Sequence, residues 1–336
     1  MLIQKTATQT CYLHVGTHKT GTTSLQAFLT ANAQKLADAG VAVPHAGRPT
    51  RNFGAQNIGH HNLAWEAMGD ARYDPDNGTF ADAVAEIARL RKPTAILSAE
   101  GFEFLHARHG ALERWNEALA AIDYRVKIVL YLRPQAEYAE SLYAGLVRRP
   151  IDCSFDQFLE QILTDGAFHF HSRTYQFDYP VLVKSFGSVF GAENIIVRPY
   201  LVGRSPNFLY LDFLRTIGSD SMELDSLYKP ERLNQRLTWL TVLAVLRANA
   251  CQRGMAAPQL RTILQEVFGN SDTGFLEHRF DPLTPNEQNA LIHRFATANE
   301  ELAKRYRLKL RCTEKTFSRA ARKRRQVLDA AMQRWR

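Results

Sequence analysis

The chain has few of the residues that build covalent or metal-linked frameworks. Its 336 residues include four cysteines, Cys11, Cys153, Cys251 and Cys312. They are widely separated, and neither a CxxC pair nor a cysteine and histidine cluster at zinc-ligand spacing occurs. This scarcity excludes a small disulfide-stabilised domain and a zinc finger. We therefore expect four reduced thiols and predict no metal site.

Long apolar runs are missing as well. A bilayer-spanning helix needs about 20 mainly apolar residues, and no run approaches that length. The start of the chain, MLIQKTATQTCYLHV, has no continuous apolar segment like that of a secretory signal. We therefore expect a soluble, cytoplasmic protein. Because 45% of the residues are hydrophobic, the chain can bury a large core.

Basic residues are concentrated at the C-terminal end. The 42 Lys and Arg against 34 Asp and Glu give a net charge of +8, and residues 313–336 contain 8 basic and 2 acidic residues, which leaves +2 for the rest. We predict one domain over residues 1–312 and a basic amphipathic tail over 313–336, without a nucleic-acid-binding surface. The tail's apolar stripe favours packing on the protein's own body or on a sister subunit, and peripheral membrane contact is the alternative. The stripe consists of Phe317, Ala321, Leu328, Ala331 and Trp335.

The most informative stretch is YLHVGTHKTGTTSLQ, residues 12–26. A short apolar strand leads into a turn between Gly16 and Gly21, and the hydroxyl residues 22–24 open a helix. Glycines let a backbone turn tightly and approach a ligand, and free N–H groups at a helix start attract anions. Residues 16–24, called the cradle loop below, are therefore predicted to bind a phosphate-like group.

The spacing of Gly16 and Gly21 is that of the nucleotide-binding pattern GxxxxGK[ST], but Thr22 stands where the lysine belongs. The lysine lies instead at Lys19, inside the turn, where it would meet the outer group of a shorter anion. In a nucleoside triphosphatase the loop lysine and a magnesium ion act together on the β and γ phosphates. The displaced lysine favours a metal-free transfer.

The segment HVGTHKTGTTSLQ resembles the 5′-phosphosulfate-binding loop of sulfotransferases that use 3′-phosphoadenosine 5′-phosphosulfate (PAPS). The bacterial carbohydrate-type branch, with its form HxGxxKTGTTSLQ, is most similar, and His18 stands where proline is expected. The resemblance implies that the cradle loop binds the donor and that Lys19 also acts in catalysis. The donor-binding residues it implies are Gly16, His18, Lys19, Thr20, Gly21, Thr22, Thr23 and Ser24.

A second segment, YLRPQAEYAESLY, follows the strongest predicted strand, VKIVLYLRP at 126–134. It resembles the sulfotransferase site for the donor's 3′-phosphate, where an arginine ends a strand and a serine follows eight residues later. Arg133 and Ser141 match that spacing. A guanidinium offers a two-pronged set of donors to phosphate, and a serine hydroxyl can add another.

Strands that alternate with helices predict an α/β fold with a parallel β-sheet flanked by helices, of the P-loop type, with a helical C-terminal part. Single helices are expected over 22–39, 80–90 and 175–186, and residues 44–79 are expected to be mostly loop with one helix. Thr284, Pro285 and Glu287 predict a capped helix start. Ligands of parallel sheets bind beyond the carboxyl ends of the strands, where Gly16, Glu100 and Arg133 fall.

An attacking hydroxyl needs a catalytic base. Glu100 ends the strand predicted over 94–100, at a position resembling that of the catalytic glutamate or histidine in sulfotransferases, and it is the first candidate. His61 is the second, with His60 beside it. Glu103 lies one helical turn beyond Glu100, where a solvated helix start explains it equally well. His14, within the first strand, is expected to be a hydrogen-bonded core residue.

The resemblance implies a PAPS-dependent sulfotransferase that moves the sulfuryl group to a hydroxyl or amine and releases 3′-phosphoadenosine 5′-phosphate (PAP). The bacterial branch suggests a carbohydrate, glycolipid or lipid-linked glycan as acceptor. Two alternatives stay open. A P-loop small-molecule kinase would share the strand, loop and helix, and a non-catalytic PAPS- or PAP-binding protein would keep the motifs without a base.

Overall fold

The structure is a computed structural model that describes residues 9–49, 58–149, 151, 153–200, 206–220, 222, 224–230, 237–251, 274–308, 310 and 328. Two compact units divide the chain. The first comprises Met1–Arg133, His171–Asn234 and Glu301–Leu310, and the second comprises Pro134–Phe170, Gln235–Glu300 and Arg311–Arg336. The predicted tail over 313–336 lies outside the described residues except for Leu328, which is buried. The predicted domain boundary at 312 stays a prediction.

The elements alternate along the chain. The strands are β1 (Gln9–Gly16), β2 (Val41–Ala42), β3 (Thr94–Ser98), β4 (Tyr124–Leu132), β5 (Ala167–Phe170), β6 (Arg173–Gln176) and β7 (Ile195–Pro199). The helices are α1 (Thr22–Ala31), α2 (Ala33–Asp38), α3 (His61–Met68), α4 (Phe80–Leu90), α5 (His109–Ala120), α6 (Gln135–Leu146), α7 (Phe155–Asp165), α8 (Tyr179–Phe190), α9 (Pro206–Thr216), α10 (Trp239–Cys251) and α11 (Pro285–Tyr306).

A five-stranded parallel sheet forms the centre of the first unit, in the order β2-β3-β1-β4-β7. In the register of the central strands, Leu13 of β1 lies beside Leu97 of β3 and Ile128 of β4. The three side chains are almost fully buried, as expected for a sheet covered on both faces. The predicted α/β class with a helix-flanked parallel sheet is confirmed.

Alternate side chains of the strands face two cores. Tyr12, Ile96 and Val129 pack with α1, α2 and α9 in one cluster, where the ring of Phe28 stacks on Tyr210 at 4.4 Å. Residues of the other parity face the opposite side because successive strand side chains alternate. There α5 and α8 contact β4. The sheet is thus held between helices, and its strand ends converge at one edge.

The predicted single helix over 22–39 is wrong in one respect, because it is divided at Asn32. The Asn32 side chain donates hydrogen bonds to the carbonyls of Phe28 and Tyr228, both at 2.8 Å, and accepts one from the Tyr228 amide at 2.8 Å. An asparagine that bonds the backbone in this way competes with helical hydrogen bonding. Gly40, with φ +85°, lies just beyond the second piece as expected.

The predicted helix over 175–186 begins too early. Residues 173–176 form β6, and α8 begins at Tyr179 with Pro180 in its first turn. Proline lacks the N–H that the interior of a helix requires, so it is tolerated only at such a start. The prediction over 80–90 matches α4, and α3 is the one α-helix in the described part of 44–79, which also contains a 3₁₀ turn at Pro75–Asn77.

The second unit contains α6, α7 and α10. In its aromatic cluster, Tyr143 packs against Phe155 and Phe158 at centroid distances of 4.9 and 5.3 Å. The predicted start of α11 is confirmed, since Thr284 and Glu287 exchange capping hydrogen bonds. Throughout the described ranges, no helix combines the length and apolar character needed to cross a membrane.

Candidate active site

The cradle loop links β1 to α1 through two glycines in the left-handed region. Gly16 has φ +91° and Gly21 has φ +78°, values that side chains disfavour. Contacts add a second constraint. A Cβ at Gly21 would lie 2.8 Å from Leu209 Cδ2, and one at Gly16 would lie 3.3 Å from the His18 amide nitrogen. The positive φ values therefore favour glycine at both positions, and at Gly16 the close contact is with a backbone atom.

The start of α1 leaves backbone amides for a ligand. Leu25 donates the first helical hydrogen bond, to Gly21 at 3.1 Å, so the amides of residues 22–24 precede the helical ladder. Gly21 provides no side-chain cap, and the first turn of α1 has no acidic residue. Such a start attracts anions through its N–H groups and its dipole.

Two hydroxyls of the cradle loop, those of Thr17 and of the predicted ligand Thr20, are used within the protein. Thr17 donates to the Tyr131 carbonyl from its amide at 2.9 Å and from its hydroxyl at 3.2 Å. The Thr20 hydroxyl donates to the Thr17 carbonyl at 2.5 Å, and Thr20 is buried. Thr20 thus braces the turn. Thr23 and Ser24 are half-buried at the start of α1.

Lys19 and Arg133 meet at the cradle loop. Lys19 is half-buried with φ +65°, and its carbonyl accepts a hydrogen bond from Arg133 Nη1 at 3.2 Å. Arg133 is only 4% exposed, and its guanidinium carbon lies 5.9 Å from the centre of the Tyr200 ring. Two cationic side chains are therefore anchored to one turn. Ser141 lies on α6 in the second unit and is half-buried, and its role stays a prediction.

Glu100 borders the cradle loop. It opens a 3₁₀ segment, Glu100–Ala107, and its Oε2 accepts a hydrogen bond from the Thr22 hydroxyl at 3.0 Å. Burial of the carboxyl acts to raise its pKa, but the charges of His18, His61 and Lys19 and the Thr22 hydrogen bond together lower the pKa to about 2. Glu100 is therefore ionised at neutral pH.

The two histidines at the start of α3 differ in role. His60 is buried, its Nε2 lies 3.0 Å from the Pro44 carbonyl, and its Nδ1 accepts from the Ser98 amide at 3.0 Å. Burial lowers the pKa of His60 to about 3. His60 thus connects the preceding loop to β3. His61 is half-buried and stacks on Trp65 at 6.1 Å, and burial lowers its pKa although Glu100 opposes the shift.

His14 is a hydrogen-bonded core residue, as the sequence predicts. It is 1% exposed, its Nδ1 lies 2.7 Å from the Ser98 hydroxyl, and its ring makes edge contacts with Tyr131 and Phe213. Burial lowers the pKa of His14 to about 3. The ring therefore stays neutral across the physiological range.

Glu103 is the site residue that the sequence analysis underestimated. Instead of a solvated helix start, it is a fully buried carboxylate. Its Oε2 accepts hydrogen bonds from the His18 amide at 2.8 Å and from His18 Nδ1 at 2.6 Å. The His18 amide is thus used by Glu103, while its ring packs against Phe104 and Tyr175. The histidine in place of the expected proline was the signal.

A wall of arginines and aromatic rings lies beyond His61 and His18. Asp70 pairs with Arg72, whose Nε donates to Oδ1 at 2.8 Å, and with Arg173 at 3.1 Å. The guanidinium of Arg72 covers Trp65 at 4.7 Å, and that of Arg173 covers Phe104 at 5.6 Å. These two arginines hold the pKa of Asp70 well below its ordinary value.

Comparisons with known proteins add no family assignment, because no protein-family model matches the chain. A search of curated proteins finds no match either. In the part of the chain that the structure describes, no group of three or more His, Cys, Asp or Glu side chains could hold a metal ion.

Proposed function

We propose that this protein is a PAPS-dependent sulfotransferase with a P-loop-type fold. One observation carries the proposal: an uncapped helix start, a lysine inside the turn and a buried arginine converge on the same loop. Each is a recognised means of binding an anion in proteins. PAPS carries a phosphosulfate on the 5′ oxygen and a phosphate on the 3′ oxygen of the same ribose, which suits two neighbouring anion-binding positions.

Transfer requires one bond to form and one to break. The acceptor oxygen bonds to the sulfur, the bond from sulfur to the bridging phosphate oxygen breaks, and its electron pair stays on the released PAP. Lys19 and the amides of residues 22–24 would stabilise the charge that develops on that oxygen. Their positions are fixed before reaction, because Gly16, Gly21 and Thr20 determine the turn, and fixed donors are the most effective stabilisers of developing charge.

Arg133 is assigned to the donor's second phosphate. Its guanidinium is buried, and one of its nitrogens is oriented by the Lys19 carbonyl. A buried guanidinium forms stronger bonds to phosphate than an exposed one because water competes less. The contact with the Lys19 carbonyl also links the donor-binding arginine to the turn that carries the catalytic lysine.

The acceptor is proposed to be a saccharide hydroxyl. The wall of Trp65, Phe104, Arg72 and Arg173 supports this choice, since aromatic faces and arginine side chains provide apolar contact together with hydrogen-bond donors. It lies next to His61 and His18, both of which influence the charge of Glu100. A carbohydrate, glycolipid or lipid-linked glycan would present hydroxyls suited to such a surface.

A label-transfer assay tests the proposed function. The protein is incubated with sulfur-labelled PAPS or with γ-phosphate-labelled ATP and magnesium, in each case with a panel of methyl glycosides. We expect the sulfuryl label alone to move to sugar. Transfer of phosphate from ATP would instead establish a kinase, and tight PAPS binding without transfer would establish a binding protein.

A further inference from the structure

We propose that His18 is the catalytic base and that Glu103 is its positioning residue. The inference rests on the proposed function and goes beyond it, because it assigns the acceptor's proton to a residue of the cradle loop itself. The carboxylate of Glu103 bonds the imidazole of His18, and Lys19 is the next residue in the chain. Glu103 lies in the 3₁₀ segment and His18 in the turn, 85 positions apart in the chain.

The orientation of the His18 ring is fixed from three sides. Glu103 Oε2 accepts from Nδ1 at 2.6 Å, the ring of Phe104 lies 4.8 Å away, and the ring of Tyr175 lies 5.1 Å away. The same carboxylate oxygen accepts the His18 amide, so the backbone and the side chain are held by one anchor. A base held in a fixed orientation is more effective, because less freedom is lost when the reaction occurs.

Glu103 also decides which ring nitrogen carries the proton. A buried carboxylate accepts hydrogen bonds and does not donate them when ionised, so neutral His18 keeps its proton on Nδ1. Nε2 then holds the lone pair that a general base needs. When Nε2 takes a proton, the imidazolium is stabilised by the carboxylate at Nδ1, the arrangement of a serine-protease triad.

Neighbouring charges favour His18 over Glu100. Glu100 is engaged by the Thr22 hydroxyl at 3.0 Å, and this hydrogen bond together with the charge of Lys19 disfavours its protonation. A carboxylate stabilised so strongly in its ionised form accepts a proton poorly, since an effective base titrates near the working pH. Glu100 is thus suited to holding Thr22 and balancing Lys19.

The proposed proton transfer is balanced. As the acceptor oxygen bonds to sulfur, its proton moves to His18 Nε2 and the electron pair of the breaking bond goes to PAP. The proton leaves to solvent afterwards.

The titratable groups that face His18 are Glu103 and Glu100 on the 3₁₀ segment, Lys19 beside it, His61 on α3 and Tyr175 on β6.

The decisive variant is His18→Asn. The asparagine amide nitrogen takes the place of Nδ1 and can still donate to Glu103, while the position of Nε2 is lost. Two reactions are measured: transfer from PAPS to the methyl glycosides, and the reverse reaction from 4-nitrophenyl sulfate to PAP. In the reverse direction His18 would donate a proton to the leaving oxygen, but nitrophenolate leaves without one, so this reaction bypasses the proton transfer while still using the lysine and the loop.

We expect His18→Asn to reduce transfer to sugars by about 100-fold or more, with the nitrophenyl reaction within about threefold of wild type. Glu103→Gln should lower the rate of transfer to sugars, divided by the rate of the nitrophenyl reaction, by about tenfold. It should also move the acidic limb of the pH profile for transfer to sugars, which loss of structure alone would not do. His109→Asn is the matched control, because His109 is exposed on α5 and bonds Ser185. Its two rates should equal those of wild type.

The outcomes separate the two proposals. If the wild type transfers sulfuryl groups and His18→Asn keeps the wild-type ratio of the two rates, His18 is not the base and this inference is overturned alone. Equal losses in both reactions also overturn it, since the residue would then serve structure or donor binding. If the wild type transfers in neither direction, the proposed function fails and this inference fails with it.

Discussion

Two deeply buried histidines, His14 and His60, and two half-buried histidines, His18 and His61, have different surroundings. His14 and His60 are almost fully buried and bond hydroxyl or backbone groups. His18, four residues after His14, pairs with a buried carboxylate, and His61, next to His60, lies near Glu100. The difference is in the partner and not in the residue type.

That contrast shows that histidines close together in the chain can have different roles, one in support of the fold and one in the proposed chemistry. Neutral partners leave a buried histidine neutral, so it can only hold structure. A carboxylate partner instead accepts a hydrogen bond from one ring nitrogen and so fixes the orientation of the ring. If this division is correct, changes in the core should alter stability alone, and changes at the edge should alter binding or turnover alone.

The largest expected effect comes from the core. Phe28 on α1 is fully buried and stacked on Tyr210 at 4.4 Å. Phe28→Ala should lower the free energy of unfolding by about 3–5 kcal/mol through lost contacts and a cavity. Val181→Ala, at a residue 42% exposed on α8, should stay within about 0.5 kcal/mol of wild type. Urea unfolding measures both, and turnover per folded molecule should not change.

Lys19→Ala tests the role of the cradle loop at the carboxyl edge of the sheet. Loss of one fixed donor to a developing oxyanion should reduce turnover by about 100- to 1,000-fold, while the unfolding midpoint stays at the wild-type value. Lys184→Ala is the control, because that lysine is 67% exposed on α8. Near-normal sulfuryl transfer by Lys19→Ala would contradict the role given to the lysine.

Much of the fold could be predicted because its signals are local. The apolar strands, the match of α4 to residues 80–90 and the capped start of α11 depend on residues within a few positions of each other. Asn32 divides the first helix through contacts with Tyr228, 196 positions away. No local pattern reveals such a partner.

In the candidate site, too, some residues could be predicted from local sequence and others depend on contacts between distant parts of the chain. The two glycines, Lys19 and Arg133 could be chosen from their spacing and from strand ends, and the structure brings them to one loop. The pairing of His18 with Glu103 depends on how β1 and β3 align, since both residues follow strands that pair in register. That alignment is a property of the folded sheet.

Arg133→Gln should affect donor binding more than chemistry. The substitution removes charged hydrogen bonds to a phosphate, which are worth about 1.5–3 kcal/mol, so the dissociation constant for PAP should rise by about 10- to 150-fold. Isothermal titration with PAP measures this effect. At saturating donor, turnover should remain within a few-fold of wild type. Unchanged PAP affinity would remove Arg133 from the donor site.

The smallest expected effect is the pH dependence of stability that His14 contributes. Its pKa is lowered by burial from 6.5 to about 3, so the unfolded chain binds a proton below about pH 6.5 that the folded protein does not. Stability therefore falls as pH decreases through this window. From pH 7 to pH 5.5 the loss attributable to His14 should be about 1 kcal/mol.

His14→Phe isolates that contribution. The ring keeps its place against Tyr131 and Phe213 but cannot titrate, and it gives up the hydrogen bond to Ser98. The variant should be less stable than wild type at pH 7, and the gap should narrow by about 1 kcal/mol at pH 5.5. Carboxylates titrate mostly below this window, and His60 and His61 contribute equally to both proteins. A gap that stays constant between the two pH values would mean that His14 binds a proton as readily in the folded protein as in the unfolded chain, which would contradict its assignment as a neutral core residue.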